Sequence, residues 1–274
     1  MDEQSFLKAC QLRDNGALKE AIEEFCRIAK ETSDPIDKAG VLLNAATTLK
    51  ILGECNLARM QLKAARDVII SSDDPPSKLR ADYRLALLNV RIEFEDADIS
   101  SFEGNITEAL ARFDLLLTKY EQELKEPDLR ECYEMIQARR GFILADLGRN
   151  RDALPILQEA ESFKGRQAEI RFYLGHCYLA IRDYSKALEW LNEAIGLGLP
   201  RRLEYRANCE LGIAYYNMKN YAQAKLSFEK SVEKADTEYI QQAQIWKWLQ
   251  NSSRLLGLND EADRYSKLGR VAQS

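Results

Sequence analysis

The sequence has very little of the chemistry that enzymes and metal proteins use. It contains one histidine, His176, and its six cysteines form no C-x-x-C pair. It also lacks a glycine-rich phosphate loop, a nucleophile elbow and the carboxylate spacing of zinc or calcium sites. A histidine-based triad would have to use His176, and no motif accompanies that residue. We therefore predict a protein that is not an enzyme and that needs no cofactor and no metal.

The sequence also lacks long apolar runs and an excess of positive charge. No apolar segment is long enough to span a bilayer, and the N-terminus has no basic-then-apolar leader. The formal net charge is -5, and basic pairs such as Arg139-Arg140 and Arg201-Arg202 have acidic neighbours. Nucleic-acid binding needs a continuous basic surface. We therefore predict a cytoplasmic protein with free thiols that binds neither membranes nor nucleic acids.

Residues that break helices are scarce. Only six prolines and thirteen glycines occur among 274 residues, and strand-like alternation of apolar and polar residues is hard to find. The composition predicts an all-α protein.

A small residue followed twelve positions later by an alanine recurs along the chain. The pairs are Ala9/Ala21, Ala46/Ala58, Gly141/Ala153, Gly175/Ala187, Gly212/Ala224 and, less closely, Gln250/Ala262. A fixed spacing that returns with a period in the mid-thirties is typical of stacked copies of one supersecondary unit.

The clearest copy predicts two helices in contact. Gly175 and Tyr178 lie on one face of a first helix, and Asp183 is placed to cap a second helix that carries Ala187 and Leu191. Because Gly175 and Ala187 have almost no side chain, the two backbones can approach closely where they cross.

These motifs resemble the tetratricopeptide repeat, a helix-turn-helix unit of 34 residues. The matching segments are Leu174-Gly175-x2-Tyr178, Leu211-Gly212-x2-Tyr215, Ala224-x3-Phe228, Ala21-x3-Phe25 and Trp246-x2-Leu249, the last followed by Gln250 in place of glycine. The resemblance implies a right-handed superhelical solenoid of antiparallel helix pairs, in which the first helix of each pair lines a concave groove.

In this frame the chain is one solenoid, 1–274, with about seven units. The units lie near 2–35, 39–72, 77–126, 134–167, 168–201, 205–238 and 243–274, and the last ends in a capping helix. A glycine five residues before the key alanine predicts a tight turn with positive φ at Gly16, Gly53, Gly104, Gly148 and Gly257.

Two units depart from the pattern. In the third unit Ala109 is paired with Ala86, which makes the unit elongated and places the acidic stretch 93–98 at a projecting hairpin tip. That tip is either a solvated surface or a contact for a basic partner. In the fourth unit Pro155 lies close to the start of the second helix near Asn150, where we expect a mild kink and not a break.

The groove that the resemblance implies would be lined by residues of the first helices, and these residues are the candidates for partner binding. They are Asn44, Arg80, Arg84, Arg139, Tyr173, His176, Arg206, Tyr216, Asn217, Trp248 and Asn251, with Phe142 and Phe172 at the same phase but expected to pack against adjacent helices. Arginine pairs with carboxylates, amides pair with peptide backbone and aromatic rings supply apolar area. We therefore predict a scaffold that binds a peptide or helix of another protein.

Other interpretations stay open. A regulator whose groove changes when it senses a peptide or small ligand is the main alternative. A co-chaperone that grips a C-terminal carboxylate is a weaker one: Asn44, Arg80 and Arg84 resemble part of that site, but Phe6 and Cys10 stand where a lysine and an asparagine would be needed. An RNA-binding repeat protein is equally weak, and the sequence predicts neither the partner's identity nor the oligomeric state.

Overall fold

The structure, a computed structural model, describes residues 1–71, 83–163, 165–235 and 243–271. The described residues form α-helices joined by turns and contain no strand. The helices are α1 Glu3–Asp14, α2 Leu18–Glu31, α3 Pro35–Ile51, α4 Cys55–Ile70, α5 Tyr83–Phe102, α6 Ile106–Lys119, α7 Arg130–Asp146, α8 Asn150–Ala160, α9 Gln167–Ala180, α10 Tyr184–Gly196, α11 Arg201–Asn217, α12 Tyr221–Lys234, α13 Ala243–Leu255 and α14 Asn259–Val271. The predicted all-α class is confirmed.

The chain forms two compact units, and their boundary falls within α7. The N-terminal unit is Met1–Ile136 and the C-terminal unit is Gln137–Ser274. Within each unit, consecutive helices pack as antiparallel hairpins, so that odd-numbered helices are first helices and even-numbered ones are second helices. The fold is thus a helical-hairpin solenoid, while a single solenoid over 1–274 stays a prediction.

Close helix crossings form where the sequence predicts them. Ala153, Ala187 and Ala224 are fully buried. A Cβ atom added at Gly175 would lie 2.7 Å from Leu191 Cγ, and one added at Gly212 would lie 2.5 Å from a ring atom of Phe228. The missing side chain of each glycine is therefore replaced by a bulky residue of the second helix.

The inter-helix turns confirm the glycine prediction. Gly16, Gly53, Gly104, Gly148 and Gly257 all have φ between 75° and 89°. Arg182 and Lys219 occupy the same position of their own turns, five residues before the key alanine, with φ of 68° and 62°. An L side chain pays about 1–2 kcal/mol for this left-handed conformation. The turn geometry is thus retained even where glycine is absent.

The acidic stretch of the third unit is not a projecting tip, and both interpretations given for it are wrong. Residues 93–98 lie inside α5, where Glu95 and Asp98 are buried. The twelve-residue partner of Ala109 is Ala97, which is fully buried, and not Ala86. The pairing of Ala109 with Ala86 was wrong, and the projecting tip that followed from it is instead part of a packed helix.

Basic side chains from neighbouring helices neutralise this stretch. Lys50 of α3 places its Nζ 2.5 Å from Glu95 Oε2 and 2.7 Å from Asp98 Oδ2. Asp96 is paired with arginines of α4 and α6, including Arg112 at 2.9 Å. The charges on α5 therefore connect this helix to three others of the N-terminal unit, α3, α4 and α6.

Two further local predictions hold. Asp183 caps α10, since its carboxylate accepts a hydrogen bond from the backbone N–H of Lys186. Pro155 lies within α8 and the helix continues to Ala160, so the expected absence of a break holds, while the mild kink stays a prediction. The N-cap of α8 is Arg149, one residue before the predicted Asn150.

Candidate functional site

The candidate residues fall on the first helices of both units, and each unit is described separately. In the N-terminal unit a cavity of about 160 Å³ lies between α1, α3 and α5. Its apolar wall includes Phe6, Val41 and Leu88, while Asn44 and Arg84 supply polar groups. The two predicted residues Asn44 and Arg84 therefore lie at one cavity, whereas Arg80 lies outside the described residues.

Asn44 is already engaged within the protein. Its Oδ1 accepts a hydrogen bond from Arg13 Nη1 at 3.0 Å, and its Nδ2 donates to the Gly40 carbonyl at 2.9 Å. The amide is thereby held in one orientation. Asn44 helps to define the cavity wall, and a ligand would have to share its hydrogen bonds.

Arg91 is a cavity residue that the sequence analysis missed. It is exposed, lies on α5 and lines the same cavity as Arg84. Arg91 precedes Ala97, the observed partner of Ala109, by six residues, which is also the distance by which Arg80 precedes Ala86. The twelve-residue spacing between Ala97 and Ala109 was the signal that could have found it.

In the C-terminal unit, an acidic residue joins two of the predicted residues. Asp146, at the end of α7, accepts a hydrogen bond from the Tyr173 hydroxyl at 2.9 Å and pairs with Arg206 at 3.2 Å. Burial, and then the negative charge of Asp146, raise the pKa of Tyr173. The hydroxyl is therefore held as a neutral donor to Asp146.

Aromatic rings support the same cluster. Phe142 stacks on Tyr173 with ring centroids 4.4 Å apart, and the Arg206 guanidinium lies 5.1 Å from the Phe172 ring centroid. Phe142 and Phe172 are buried, as expected for residues that pack against neighbouring helices. Arg139, half-buried on α7, adds a positive charge that acts on Tyr173.

His176 forms a second polar pair. Its Nδ1 lies 2.8 Å from Glu210 Oε1, and Glu210 is buried. Burial lowers the pKa of His176, but the hydrogen bond and the charge of Glu210 outweigh this effect, so that the pKa is raised. Glu210 was not among the predicted residues, although it follows His176 by one 34-residue repeat.

This pair predicts a pH-dependent contribution to stability. A histidine whose pKa is raised by folding stabilises the protein fully below its unfolded pKa of about 6.5, and the contribution is lost as the pH rises through the raised value. We expect His176→Gln to lower the denaturation midpoint more at about pH 5.5 than at about pH 8.5. Urea unfolding at both pH values measures this. An equal loss of stability at both pH values would contradict this prediction. Glu210→Gln removes the partner of His176 and should likewise lower the midpoint more at the lower pH.

The remaining candidates lie on α11 and α13. Tyr216 contacts Trp248 edge to face at a centroid distance of 4.9 Å, and Trp248 stacks on the buried Phe228. Asn217 and Asn251 are exposed, and Asn217 donates to the Ile213 carbonyl. Tyr216 and Trp248 therefore form a half-buried aromatic contact between α11 and α13.

The structure thus brings the candidates together in three groups. Asn44 and Arg84 share a cavity with Arg91; Tyr173 and Arg206 both contact Asp146, and the charge of Arg139 acts on Tyr173; and Tyr216 packs on Trp248. No helix among the described residues is long and apolar enough to cross a membrane.

Comparison with known proteins identifies the repeats. A family model described as tetratricopeptide repeat matches residues 168–197 and 205–233. No curated protein sequence matches this chain. The matched segments cover α9–α10 and α11–α12, the two hairpins in which glycine and alanine cross most clearly.

Solved structures show the same fold over more of the chain. The chain is similar to PilF of Pseudomonas aeruginosa (15% identity, 87% of this chain and 94% of that chain, TM-score 0.62). It is also similar to a tetratricopeptide repeat protein from Parabacteroides merdae (14% identity, 99% and 93%, TM-score 0.55).

A third similar structure is a signal transduction ATPase with numerous domains from Pyrococcus horikoshii, which has a tetratricopeptide repeat sensor (17% identity, TM-score 0.69). The match covers 97% of this chain and 41% of that one. The chain thus contains two segments that match the tetratricopeptide repeat, and its helical-hairpin fold is shared with solved tetratricopeptide repeat structures over most of its length.

Proposed function

We propose that this protein is a scaffold that binds a peptide or helix of a partner protein on the surface of its first helices. Tetratricopeptide repeat proteins are in general protein–protein interaction modules without catalytic activity. The proposal adds where binding occurs in this chain and what chemistry it uses. It also retains the predictions of a cytoplasmic location and of no binding to nucleic acids or membranes.

The cavity between α1, α3 and α5 is the observation on which the proposal rests. An apolar wall with Phe6, Val41 and Leu88 lies next to the guanidinium groups of Arg84 and Arg91. Such a combination suits an apolar side chain of a peptide followed by an acidic group. Three successive first helices contribute, which is the arrangement expected for a binding surface of stacked repeats.

This interpretation differs from a complete carboxylate clamp. Phe6 supplies an aromatic ring where the clamp needs a cation. Lys50 does not supply that cation, because its ammonium group is paired with Glu95 inside the unit. The apolar wall would therefore contribute much of the binding, with arginine fixing the orientation of the ligand.

Charge reversal at the cavity tests the proposal. Peptides selected from a random phage-displayed library on the full chain should bind the double variant Arg84→Glu, Arg91→Glu with Kd raised by about tenfold or more, because two attractive charges become repulsive. Fluorescence anisotropy of the selected peptides gives Kd, and circular dichroism confirms that the variant is folded.

The matched control changes the same charge elsewhere. Lys19 on α2 and Lys63 on α4 are exposed residues of second helices. Lys19→Glu with Lys63→Glu should leave peptide affinity within about twofold of the wild type. Equal loss of affinity in both double variants would show that net charge, and not this cavity, controls binding.

A second candidate function is sensing of a peptide or small ligand. The repeats of the Pyrococcus horikoshii structure are described as a sensor, and that likeness favours this alternative. A sensor should change its radius of gyration when a selected peptide is added at saturation, whereas a scaffold should not. Small-angle X-ray scattering of the full chain, with and without the peptide, separates the two.

A further inference from the structure

A larger cavity, of about 540 Å³, lies at two neighbouring inter-helix turns of the C-terminal unit. One side is formed by Gly148, Arg149, Asn150, Arg151 and Asp152, where α7 passes into α8. The other side is formed by residues 180–182, where α9 passes into α10. Its volume is in the range of sites for small molecules. None of the partner-binding candidates lines it, so it is a separate feature of the molecule.

The cavity collects positive charge that the protein does not neutralise. Arg149 is paired with Asp152 at 2.8 Å, and both are about half exposed. Arg151 and Arg182 are exposed and have no ion pair or side-chain hydrogen bond with any described residue. Two unneutralised guanidinium groups, one from each turn, therefore line the same cavity beside one neutral ion pair.

The first residues of α8, Asn150 to Asp152, are among the residues that line the cavity. The first hydrogen bonds of this helix are donated by the N–H groups of Asp152 and Ala153 to the Arg149 carbonyl. No hydrogen bond within the described residues uses the N–H groups of Asn150 and Arg151. These two N–H groups are thus free to donate to an anion bound at the start of α8.

We propose that this cavity binds the phosphate group of a small anionic ligand. A phosphate monoester carries a charge of about -1.5 to -2 at neutral pH and has three acceptor oxygens, so it matches both free guanidinium groups. A carboxylate or a phosphodiester carries one charge and would leave one arginine unneutralised. Asp152 does not oppose binding strongly, because Arg149 neutralises it.

Nuclear magnetic resonance titration of the full chain tests the proposal. The probes are inorganic phosphate, O-phosphoserine and acetate, all at one ionic strength. We expect phosphate and O-phosphoserine to shift the amide resonances of Asn150 and Arg151 saturably, and acetate to bind at least about tenfold more weakly. Tighter binding of O-phosphoserine would indicate an ester ligand, and tighter binding of inorganic phosphate would indicate the free ion. Linear shifts with all three probes would overturn the proposal.

Three variants assign the effect to the arginines. Arg151→Ala with Arg182→Ala should raise the phosphate Kd by about tenfold or more. The control, Arg202→Ala with Arg264→Ala, removes the same charge from exposed positions on α11 and α14 and should change Kd by less than about twofold. Equal weakening in both would overturn the proposal.

Arg182→Gly removes one guanidinium group without risk to the fold, since glycine suits the positive φ of this turn. This variant should unfold at a higher temperature than the wild type and still bind phosphate at least about threefold more weakly. Unchanged phosphate affinity in this more stable variant would exclude Arg182 from the site. The outcome is independent of peptide binding, so it does not depend on the function proposed above.

Discussion

Replacement of Lys50 by methionine should lower the free energy of unfolding by about 3–5 kcal/mol. The Lys50 ammonium lies within 2.7 Å of carboxylate oxygens of both Glu95 and Asp98, and all three side chains are largely buried. Methionine retains the length and apolar packing of the lysine side chain, but it leaves two carboxylates without this cation. Urea unfolding monitored by circular dichroism measures the loss.

Further variants separate the charge effect from packing. Lys50→Met combined with Glu95→Gln and Asp98→Asn should recover at least half of the lost stability, because neutral amides avoid the repulsion. Lys63→Met is the control, since Lys63 is exposed on α4. It should change stability by less than about 0.5 kcal/mol. A comparable loss in Lys50→Met and Lys63→Met would contradict the importance of the buried cluster.

Replacement of Gly212 by alanine should lower the free energy of unfolding by about 1–3 kcal/mol, although alanine is the better helix former. The new Cβ would lie within 2.8 Å of three ring atoms of Phe228, which is fully buried. The ring cannot move away freely, because Trp248 stacks on it at a centroid distance of 5.9 Å. Thermal and urea unfolding of the variant measure the effect.

A helical glycine in open space provides the matched control. Gly40 lies within α3, and a Cβ atom there would meet no other atom within 4 Å. Gly40→Ala should therefore increase stability by up to about 1 kcal/mol. The double variant Gly212→Ala, Phe228→Leu should be less destabilised than the sum of its two single changes, because leucine vacates part of the ring's space. If Gly212→Ala and Gly40→Ala have the same effect, the crossing is not close-packed.

Spacing along the chain was sufficient to predict the hairpins but not every partner within them. The pair Gly175/Ala187 and the turn glycines were located correctly, because helix geometry and positive φ impose fixed local offsets. The third unit was misread, because Ala109 was paired with Ala86 and the acidic segment 93–98 was then placed at an exposed tip, where charged residues usually lie. The cations that allow its burial, such as Lys50 and Arg59, are more than thirty residues away in sequence.

The candidate site was likewise predicted only in part. Tyr173 and Arg206 were selected from their phase on the first helices, whereas Asp146, which accepts hydrogen bonds from both, was not. Glu210 was missed beside His176 for the same reason. Repeat spacing identifies which face of a helix a residue occupies, but it does not identify the side chain that meets it from the next helix.

The amino-acid sequence by itself determined the helix class, the repeated hairpin and the positions of its turns, because these depend on steric rules that act within a few residues. The tertiary structure alone decided which charges are buried as pairs, which arginines stay without a carboxylate and which residues line the cavities. Those outcomes depend on distances between residues far apart in the chain, and a change of a few ångströms converts a solvated charge into a buried ion pair.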